Sequence, residues 1–149
     1  MREKYYQGRF TPKNYEKYKG NYKNIIYRSS WELRFMKYCD ENANILEWGS
    51  EEFSIPYFDT TTNKIRNYFP DFIIKIKENS GKIKKYIIEV KPEKQTKPPT
   101  QNKNKRKKTF ITEALAYEKN IAKWKAATEF CLDNGIEFKI ITEKELGIK

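Results

Sequence analysis

Apolar positions along the chain fall into short clusters whose spacing predicts both helices and strands. Ser29–Ser30 precede a run with helical periodicity, which predicts a helix from about Trp31 to Glu41. A second and longer helix is predicted to begin at Thr112 and to end at Asn134, because Gly135 after it is a common helix stop. The spacing therefore predicts two helices that lie far apart in the sequence.

Shorter apolar runs between and after the helices predict strands. The predicted strands are residues 45–48, 53–57, 67–76, 83–91 and 136–142, with a turn at 59–63, a hairpin turn at 78–81 and one short helical turn at 143–146. The order is helix, three or four strands, helix, strand. Such an order indicates an α/β fold.

Two segments have no sustained apolar period. Residues 1–28 are predicted to be an extended or loosely ordered, aromatic-rich arm that precedes a domain of residues 29–149. Residues 92–110 are predicted to be a long basic loop within that domain, and loops of this length are usually functional or mobile. The chain therefore has one predicted folded domain and two irregular segments.

Positive charge is concentrated in these two segments. The net charge is +11, and residues 1–28 hold eight basic and two acidic side chains, whereas residues 91–110 hold eight basic and one acidic. Two basic segments on a nearly neutral body favour nucleic acid or an anionic membrane as partner. Neither segment has the apolar face of an interfacial helix, so we expect DNA as the partner and no membrane. The alternative is a solvated basic surface that only aids solubility.

Aromatic side chains alternate with the cations of residues 1–28. They are Tyr5, Tyr6, Phe10, Tyr15, Tyr18, Tyr22 and Tyr27. Stacking on bases together with phosphate contact is typical of proteins that bind nucleic acid. This composition therefore supports the expectation of DNA binding.

The chain has no histidine and only two cysteines. This excludes catalysis by Ser-His-Asp or Cys-His groups, histidine metal sites and a four-cysteine zinc site. Any metal site must therefore be built from carboxylates and other oxygen atoms.

Three carboxylates stand where the pattern otherwise places apolar residues. Glu32 falls in the middle of the apolar arc of the first helix, and Asp71 and Glu89 each interrupt an apolar strand. If the predicted hairpin pairs, Asp71 and Glu89 lie on adjacent strands, and Lys91 shares the face of Glu89. Converging carboxylates repel one another, and oxygen ligands select a hard divalent cation, Mg²⁺ before Mn²⁺. The alternative is that each acid pairs with a basic residue, as Glu89 would with Lys91.

Pro70–Asp71, followed after 17 residues by Glu89–Val90–Lys91, resembles the PD-(D/E)XK nuclease signature. The predicted order of elements resembles the restriction-endonuclease-like αβββαβ core of that superfamily, a mixed sheet flanked by helices. Glu32 matches the additional helix acid of many members. The resemblance implies a Mg²⁺-dependent deoxyribonuclease with Glu32, Asp71, Glu89 and Lys91 as catalytic residues. It implies that Glu32, Asp71, Glu89 and the Val90 carbonyl bind the metal.

A closer resemblance covers most of the chain. The segments 27–32, 55–57, 68–72 and 89–92, with Trp48, Gln95–Thr96, Pro98–Pro99, Asn120 and Lys123–Trp124, are similar to tailed-phage head completion nucleases. The core alone is similar to TnsA-like transposon endonucleases. This resemblance implies DNA cleavage, endonucleolytic or also exonucleolytic, before phage heads join tails. It implies phage head and portal proteins as partners, no small-molecule cofactor, and action in the host cytoplasm during virion assembly, with retention in the virion as a further expectation.

Basic and polar residues near the proposed centre are the candidate DNA contacts. They are Arg28, Lys94, Gln95, Lys97, Lys103, Lys105, Arg106, Lys107, Lys108 and Lys123. Two other functions stay open: a non-catalytic DNA-binding protein of the head or portal, and an endonuclease subunit of a transposition or recombination complex. The intact set of four catalytic candidates argues against the first of these.

Overall fold

A four-stranded mixed sheet lies at the centre of the structure, a computed structural model that describes residues 7–148. The elements in chain order are β1 (Gly8–Phe10), β2 (Ile25–Tyr27), α1 (Ser30–Glu41), β3 (Ile45–Ser50), β4 (Ile55–Asp59), β5 (Lys64–Tyr68), β6 (Phe72–Lys77), β7 (Ile83–Val90), α2 (Lys107–Asn134), β8 (Glu137–Ile141) and α3 (Glu143–Leu146). The sheet order is β3-β6-β7-β8, with antiparallel β3–β6 and β6–β7 pairs and a parallel β7–β8 pair.

The first helix forms as its sequence predicts. The side chain of Ser29 caps α1 by accepting a hydrogen bond from the backbone N–H of Glu32. Phe35, Met36 and Cys39 are buried and pack on one face of the central sheet. Helix α1 therefore forms one outer layer, and its first turn carries Glu32.

Helix α2 and the β4–β5 hairpin form the layer on the opposite face. Ile87 of β7 is buried there together with Trp124 and Ala127 of α2 and with Tyr57 of β4. The predicted start of this helix at Thr112 is wrong, because α2 already begins at Lys107. Its first turn is solvent-exposed and basic, so it shows no apolar period, although no proline or glycine interrupts it. None of the helices in residues 7–148 has the length and apolar character needed to cross a membrane.

The predicted strand of residues 67–76 is two strands in the structure. β5 pairs only with β4, whereas β6 pairs with β3 and β7. Pro70 is buried between them and has no N–H for a ladder, so the pairing changes partners at this point. The break places Asp71 immediately before β6.

The expectation of a loosely ordered arm is wrong for residues 7–28. β1 and β2 form an antiparallel pair, and Phe10, Tyr18 and Ile25 are buried in the same core as Trp48. The apolar residues of this segment are too widely spaced to show a period, yet each occupies its own place in the core. Tyr5 and Tyr6 lie outside the described residues.

Two charged side chains fasten this segment to the end of α1. Asp40 is 2% exposed and accepts hydrogen bonds from the backbone N–H groups of Lys13 at 2.8 Å and Asn14 at 2.9 Å. Lys17 Nζ donates to the carbonyls of Cys39 at 2.7 Å and Asn42 at 2.9 Å. A cation at these carbonyls also complements the negative end of the helix dipole. The N-terminal segment is thus attached to the end of α1 by hydrogen bonds of both Asp40 and Lys17.

Replacing Asp40 should destabilise the fold. Asp40→Ala leaves two backbone donors without their acceptor, which costs about 1–3 kcal/mol of the free energy of unfolding. Urea unfolding of the purified protein measures this loss. The matched control is Glu41→Ala, since Glu41 is exposed and its ion pair with Lys13 spans 3.7 Å between exposed side chains. Equal losses in the two variants would contradict the role given to Asp40.

Candidate active site

The central hairpin brings Asp71 and Glu89 to the same end of the sheet. Phe72 pairs with Ile88 across β6 and β7, and the two acids are the next residues outward on each chain. Oδ2 of Asp71 accepts a hydrogen bond of 2.8 Å from the backbone N–H of Val90. The predicted hairpin is therefore confirmed, and it sets these carboxylates on adjacent chains.

Glu89 is held from two sides. It is only 5% exposed, the hydroxyl of Tyr68 donates to Oε1, and Lys91 Nζ lies 3.3 Å from Oε2. Tyr68 reaches Glu89 because β5 ends there and the chain turns at Pro70 into β6. The ion pair considered from the sequence is thus present, beside a tyrosine contact that the sequence analysis did not identify.

Glu32 approaches from α1. Its Oε1 accepts a hydrogen bond of 3.0 Å from the backbone N–H of Arg28, and its side chain is only partly buried. The guanidinium of Arg28 is bound by the carboxylate of Glu51 with contacts of 3.0–3.3 Å. Glu51 has a left-handed backbone with φ of 54°, which is uncommon for a residue other than glycine. The segment before α1 thus fixes one oxygen of Glu32.

Burial and nearby negative charge raise the pKa values of Asp71 and Glu32. The pKa of Asp71 lies well above its ordinary value, because the group is buried and because Glu89 and Glu32 are negative. The Val90 N–H and Lys91 act in the opposite direction. Burial also raises the pKa of Glu32, and the charges of Glu51 and Glu89 add to this effect. The pKa of Asp71 is therefore raised by Glu89 and Glu32, and the pKa of Glu32 is raised by Glu89.

The expected three-carboxylate metal centre is not preassembled. Within residues 7–148, no three Asp, Glu or Cys side chains stand close enough together to hold an ion. Protein donors occupy one oxygen of Asp71, one of Glu32 and both of Glu89. The donor set still fits a hard divalent cation, because it is all oxygen and because positive charge would relieve the repulsion that raises the pKa of Asp71.

Helix α2 brings a second lysine to the site. Lys123 Nζ lies 5.8 Å from the ring centroid of Tyr68 and 6.0 Å from that of Tyr57. Burial lowers the pKa of Lys123, and Lys91 lowers it further, whereas the negative charge of Glu89 opposes the shift. In the described part of the chain its ammonium makes no ion pair within 4.0 Å. A half-buried cation thus faces the carboxylates without being neutralised by one.

The other predicted DNA contacts lie mainly on the surface. Lys94, Gln95, Lys97, Lys103, Arg106, Lys107 and Lys108 are exposed, on the segment after β7 and on the first turn of α2. Lys97 is 3.8 Å from Glu93. Lys105 differs, because its Nζ donates to the carbonyl of Thr100 at 2.6 Å and to Glu113 at 2.8 Å. The ammonium of Lys105 is therefore engaged by acceptors of the loop and of α2.

Comparison with known proteins agrees with this geometry. A family model described as "TnsA-like endonuclease N terminal" matches residues 42–143.

The chain belongs to the TnsA-like endonuclease family.

A full-length relative is also known. The chain is 42% identical to the head completion nuclease of Enterobacteria phage T4 over 150 residues, which cover 97% of both proteins. As a TnsA-like endonuclease the chain is a nuclease, and the family implies a divalent metal cation. The predicted PD-(D/E)XK-type α/β fold, a mixed sheet flanked by helices, is confirmed. The matched range contains Asp71, Glu89, Lys91 and Lys123, whereas Glu32 precedes it.

The repulsion at the site should lower the stability of the metal-free protein. Because folding raises the pKa of Asp71, its contribution to stability is complete below the ordinary aspartate pKa and is lost as the pH rises through the folded value. Asp71→Asn should therefore raise the free energy of unfolding of the metal-free protein near neutral pH, because the neutral amide removes a buried charge that Glu89 repels. The gain should disappear in acid, and denaturant unfolding across a pH series measures it.

Asp133→Asn is the matched control, because Asp133 is an exposed aspartate of α2. Its substitution should leave the free energy of unfolding nearly unchanged at every pH. A destabilised Asp71→Asn protein at neutral pH would show that Asp71 and Glu89 do not repel each other as described.

Proposed function

We propose that this chain is a Mg²⁺-dependent DNA nuclease that acts in phage head completion, before heads are joined to tails. The observation that carries the proposal is the placement of Asp71, Glu89 and Lys91 together at one end of the sheet, with Glu32 on the adjoining helix. The full-length similarity to a head completion nuclease supports the biological setting. The match to the TnsA-like model alone would equally suit a subunit of a transposition complex, but it covers only the core.

The metal ligands we propose are Asp71, Glu89 and the carbonyl of Val90, with Glu32 completing the site from α1. A bound Mg²⁺ would supply an activated water and positive charge for the scissile phosphate, and Mn²⁺ would substitute for it. The Val90 N–H orients Asp71, and the hydroxyl of Tyr68 orients Glu89. Tyr68 is thus a positioning residue, since it acts through Glu89.

Lys91 and Lys123 have different tasks in this proposal. Lys91 is ion-paired with Glu89 at 3.3 Å, where it would orient the attacking water and stabilise the added negative charge at phosphorus. Lys123 is held over two tyrosine rings, which do not neutralise its charge, so it can bind a phosphate oxygen of the DNA at the cleavage site. Both lysines would thus add positive charge near Glu89 at the proposed cleavage site.

Exposed basic and polar side chains would hold the DNA near the cleavage site. The proposed contacts are Arg28, Lys94, Gln95, Lys97, Lys103, Arg106, Lys107 and Lys108. The carboxylate of Glu51 binds the guanidinium of Arg28 at 3.0 Å. Arg28 would therefore contact DNA only where a phosphate takes the place of this carboxylate. We propose endonucleolytic cleavage, with exonuclease activity as an additional mode. Phage head and portal proteins are the proposed partners, in the host cytoplasm during assembly or retained in the virion.

Removing either central acid should abolish cleavage. We expect Asp71→Asn and Glu89→Gln to bind DNA but to leave a supercoiled plasmid uncut with Mg²⁺, because each loses a metal ligand. Lys91→Ala should lose roughly a hundredfold or more of turnover, as is usual when one group that stabilises transition-state charge is removed. Plasmid nicking by the wild type with Mg²⁺, with Mn²⁺, with Ca²⁺ and with EDTA provides the reference.

Cleavage by either acid variant at the wild-type rate would contradict the assigned metal site. A wild-type protein that binds DNA yet cuts nothing with Mg²⁺ or Mn²⁺ would favour the non-catalytic head or portal protein instead. Asp133→Asn again serves as the exposed aspartate control.

Lys123 should affect turnover rather than affinity. Lys123→Ala is expected to lower turnover at saturating DNA by about tenfold to a hundredfold, the effect of losing one hydrogen bond from a charged donor. Lys125→Ala is the matched control, since Lys125 is an exposed lysine of the same helix.

Neutralising Arg106, Lys107 and Lys108 should instead weaken the affinity for DNA and preserve turnover at saturating DNA. The slope of log affinity against log salt should fall by up to ~0.9 per lost phosphate contact.

Opposite effects of the two sets of variants on turnover and affinity would contradict these separate roles of Lys123 and the first turn of α2. Lys123 would be an ordinary DNA contact if its loss changed affinity and the salt slope but not turnover. An unchanged salt slope in the triple variant would remove the first turn of α2 from the DNA-binding surface.

A further inference from the structure

Two tyrosines of the N-terminal segment form an exposed, stacked pair. Tyr15 is 54% and Tyr22 38% exposed, their ring centroids are 4.9 Å apart, and the planes are inclined by 29°. Phe10 and Tyr18 of the same segment are buried in the core. The aromatic residues of this segment thus divide into rings that are buried in the core and a stacked pair that is exposed to solvent.

A cation accompanies the exposed pair. Lys23 Nζ lies 6.0 Å from the ring centroid of Tyr22, and in residues 7–148 it has no carboxylate within 4.0 Å. Aromatic faces beside cations suit unpaired nucleic acid, because a base can stack while its phosphate meets the cation. A paired base inside a duplex does not offer its face in this way.

A polar groove is lined partly by residues that lie between Tyr22 and Glu32 in the chain. Its volume is about 230 Å³, and its lining is formed by Asn21, Asn24, Ile26, Arg28, Ser50, Glu51 and Glu52. Its lining residue Asn21 directly precedes Tyr22 in the chain. Its lining residue Arg28 donates a backbone hydrogen bond of 3.0 Å to Glu32.

The chemistry of the groove suits base edges better than phosphates. Glu51 is bound to Arg28 and Glu52 accepts a hydrogen bond of 2.6 Å from the hydroxyl of Tyr18, so the lining carries negative charge that would repel phosphate. The amides of Asn21 and Asn24 can both donate to and accept from base edges. Unpaired nucleotides would thus turn their bases inward and leave their phosphates toward solvent.

We propose that the Tyr15–Tyr22 pair and this groove bind an unpaired stretch of DNA beside the strand that is cut. The inference rests on the proposed nuclease function and narrows its substrate class. The preferred substrate is a duplex with a single-stranded end or branch, of which one unpaired base stacks on Tyr22.

Binding is measured in the Asp71→Asn background, which we expect not to cut. The probes are a blunt duplex and the same duplex with a short single-stranded extension, and the readout is fluorescence anisotropy at fixed salt. Tyr22→Ala should weaken binding of the extended probe by about fivefold to 150-fold relative to the blunt one, which is the range of one lost stacking contact. Tyr22→Phe should retain the affinity for the extended probe, because the ring remains.

Tyr38→Ala is the matched control, because Tyr38 is 46% exposed on α1 and lies outside the groove. A fluorescent base analogue in the extension gives a second readout, since its emission should be quenched by a protein with Tyr22 and restored by Tyr22→Ala. Three outcomes would overturn the stacking site. They are an equal loss of affinity for both probes in Tyr22→Ala, no loss of affinity in Tyr22→Ala, and a loss in Tyr22→Phe as large as that in Tyr22→Ala. A wild-type protein that fails to cut either probe with Mg²⁺ would contradict the proposed function instead.

Discussion

The repulsion between Asp71 and Glu89 is the constraint around which the site is built. Antiparallel pairing of β6 and β7 sets the two acids at the same end of the sheet. Burial strengthens their repulsion and raises the pKa of Asp71. The Val90 N–H, the Tyr68 hydroxyl and Lys91 each offset part of that cost. The fold therefore maintains an arrangement that is unfavourable without a cation and suited to binding one.

The compensating groups come from different layers, so the site depends on how the layers pack. Tyr68 belongs to the β4–β5 hairpin, which packs with α2, and Lys123 belongs to α2 itself. Glu32 belongs to α1 on the other face of the sheet. The sheet holds the acids, whereas the two outer layers carry the groups that orient and neutralise them. Functional side chains are positioned most precisely when rigid helices and strands carry them and neighbouring residues hold them in place.

The sequence located the parts of the site that interrupt a regular pattern. An acid within an apolar run is conspicuous, and so Asp71, Glu89 and Glu32 were predicted before the structure. Tyr68 was not, because a tyrosine in an apolar strand fits the pattern and only the break at Pro70 aims its hydroxyl at Glu89. The burial of Asp40 has no signal in the helix pattern, because it is the segment of residues 7–28 that covers this side chain. The order of that segment also has no signal in the sequence, because its buried aromatic residues are scattered and have no period.

The N-terminal segment is better understood as a wall of the active site than as an appendage. Asp40 and Lys17 fasten its middle to the end of α1, and the backbone of Arg28 fastens its end to Glu32. Both attachments involve α1, the helix that carries the proposed metal ligand Glu32. The exposed Tyr15–Tyr22 pair therefore lies on a segment whose end is hydrogen-bonded to Glu32. The proposed DNA contact and the hydrogen bond to Glu32 are therefore carried by the same segment of the chain.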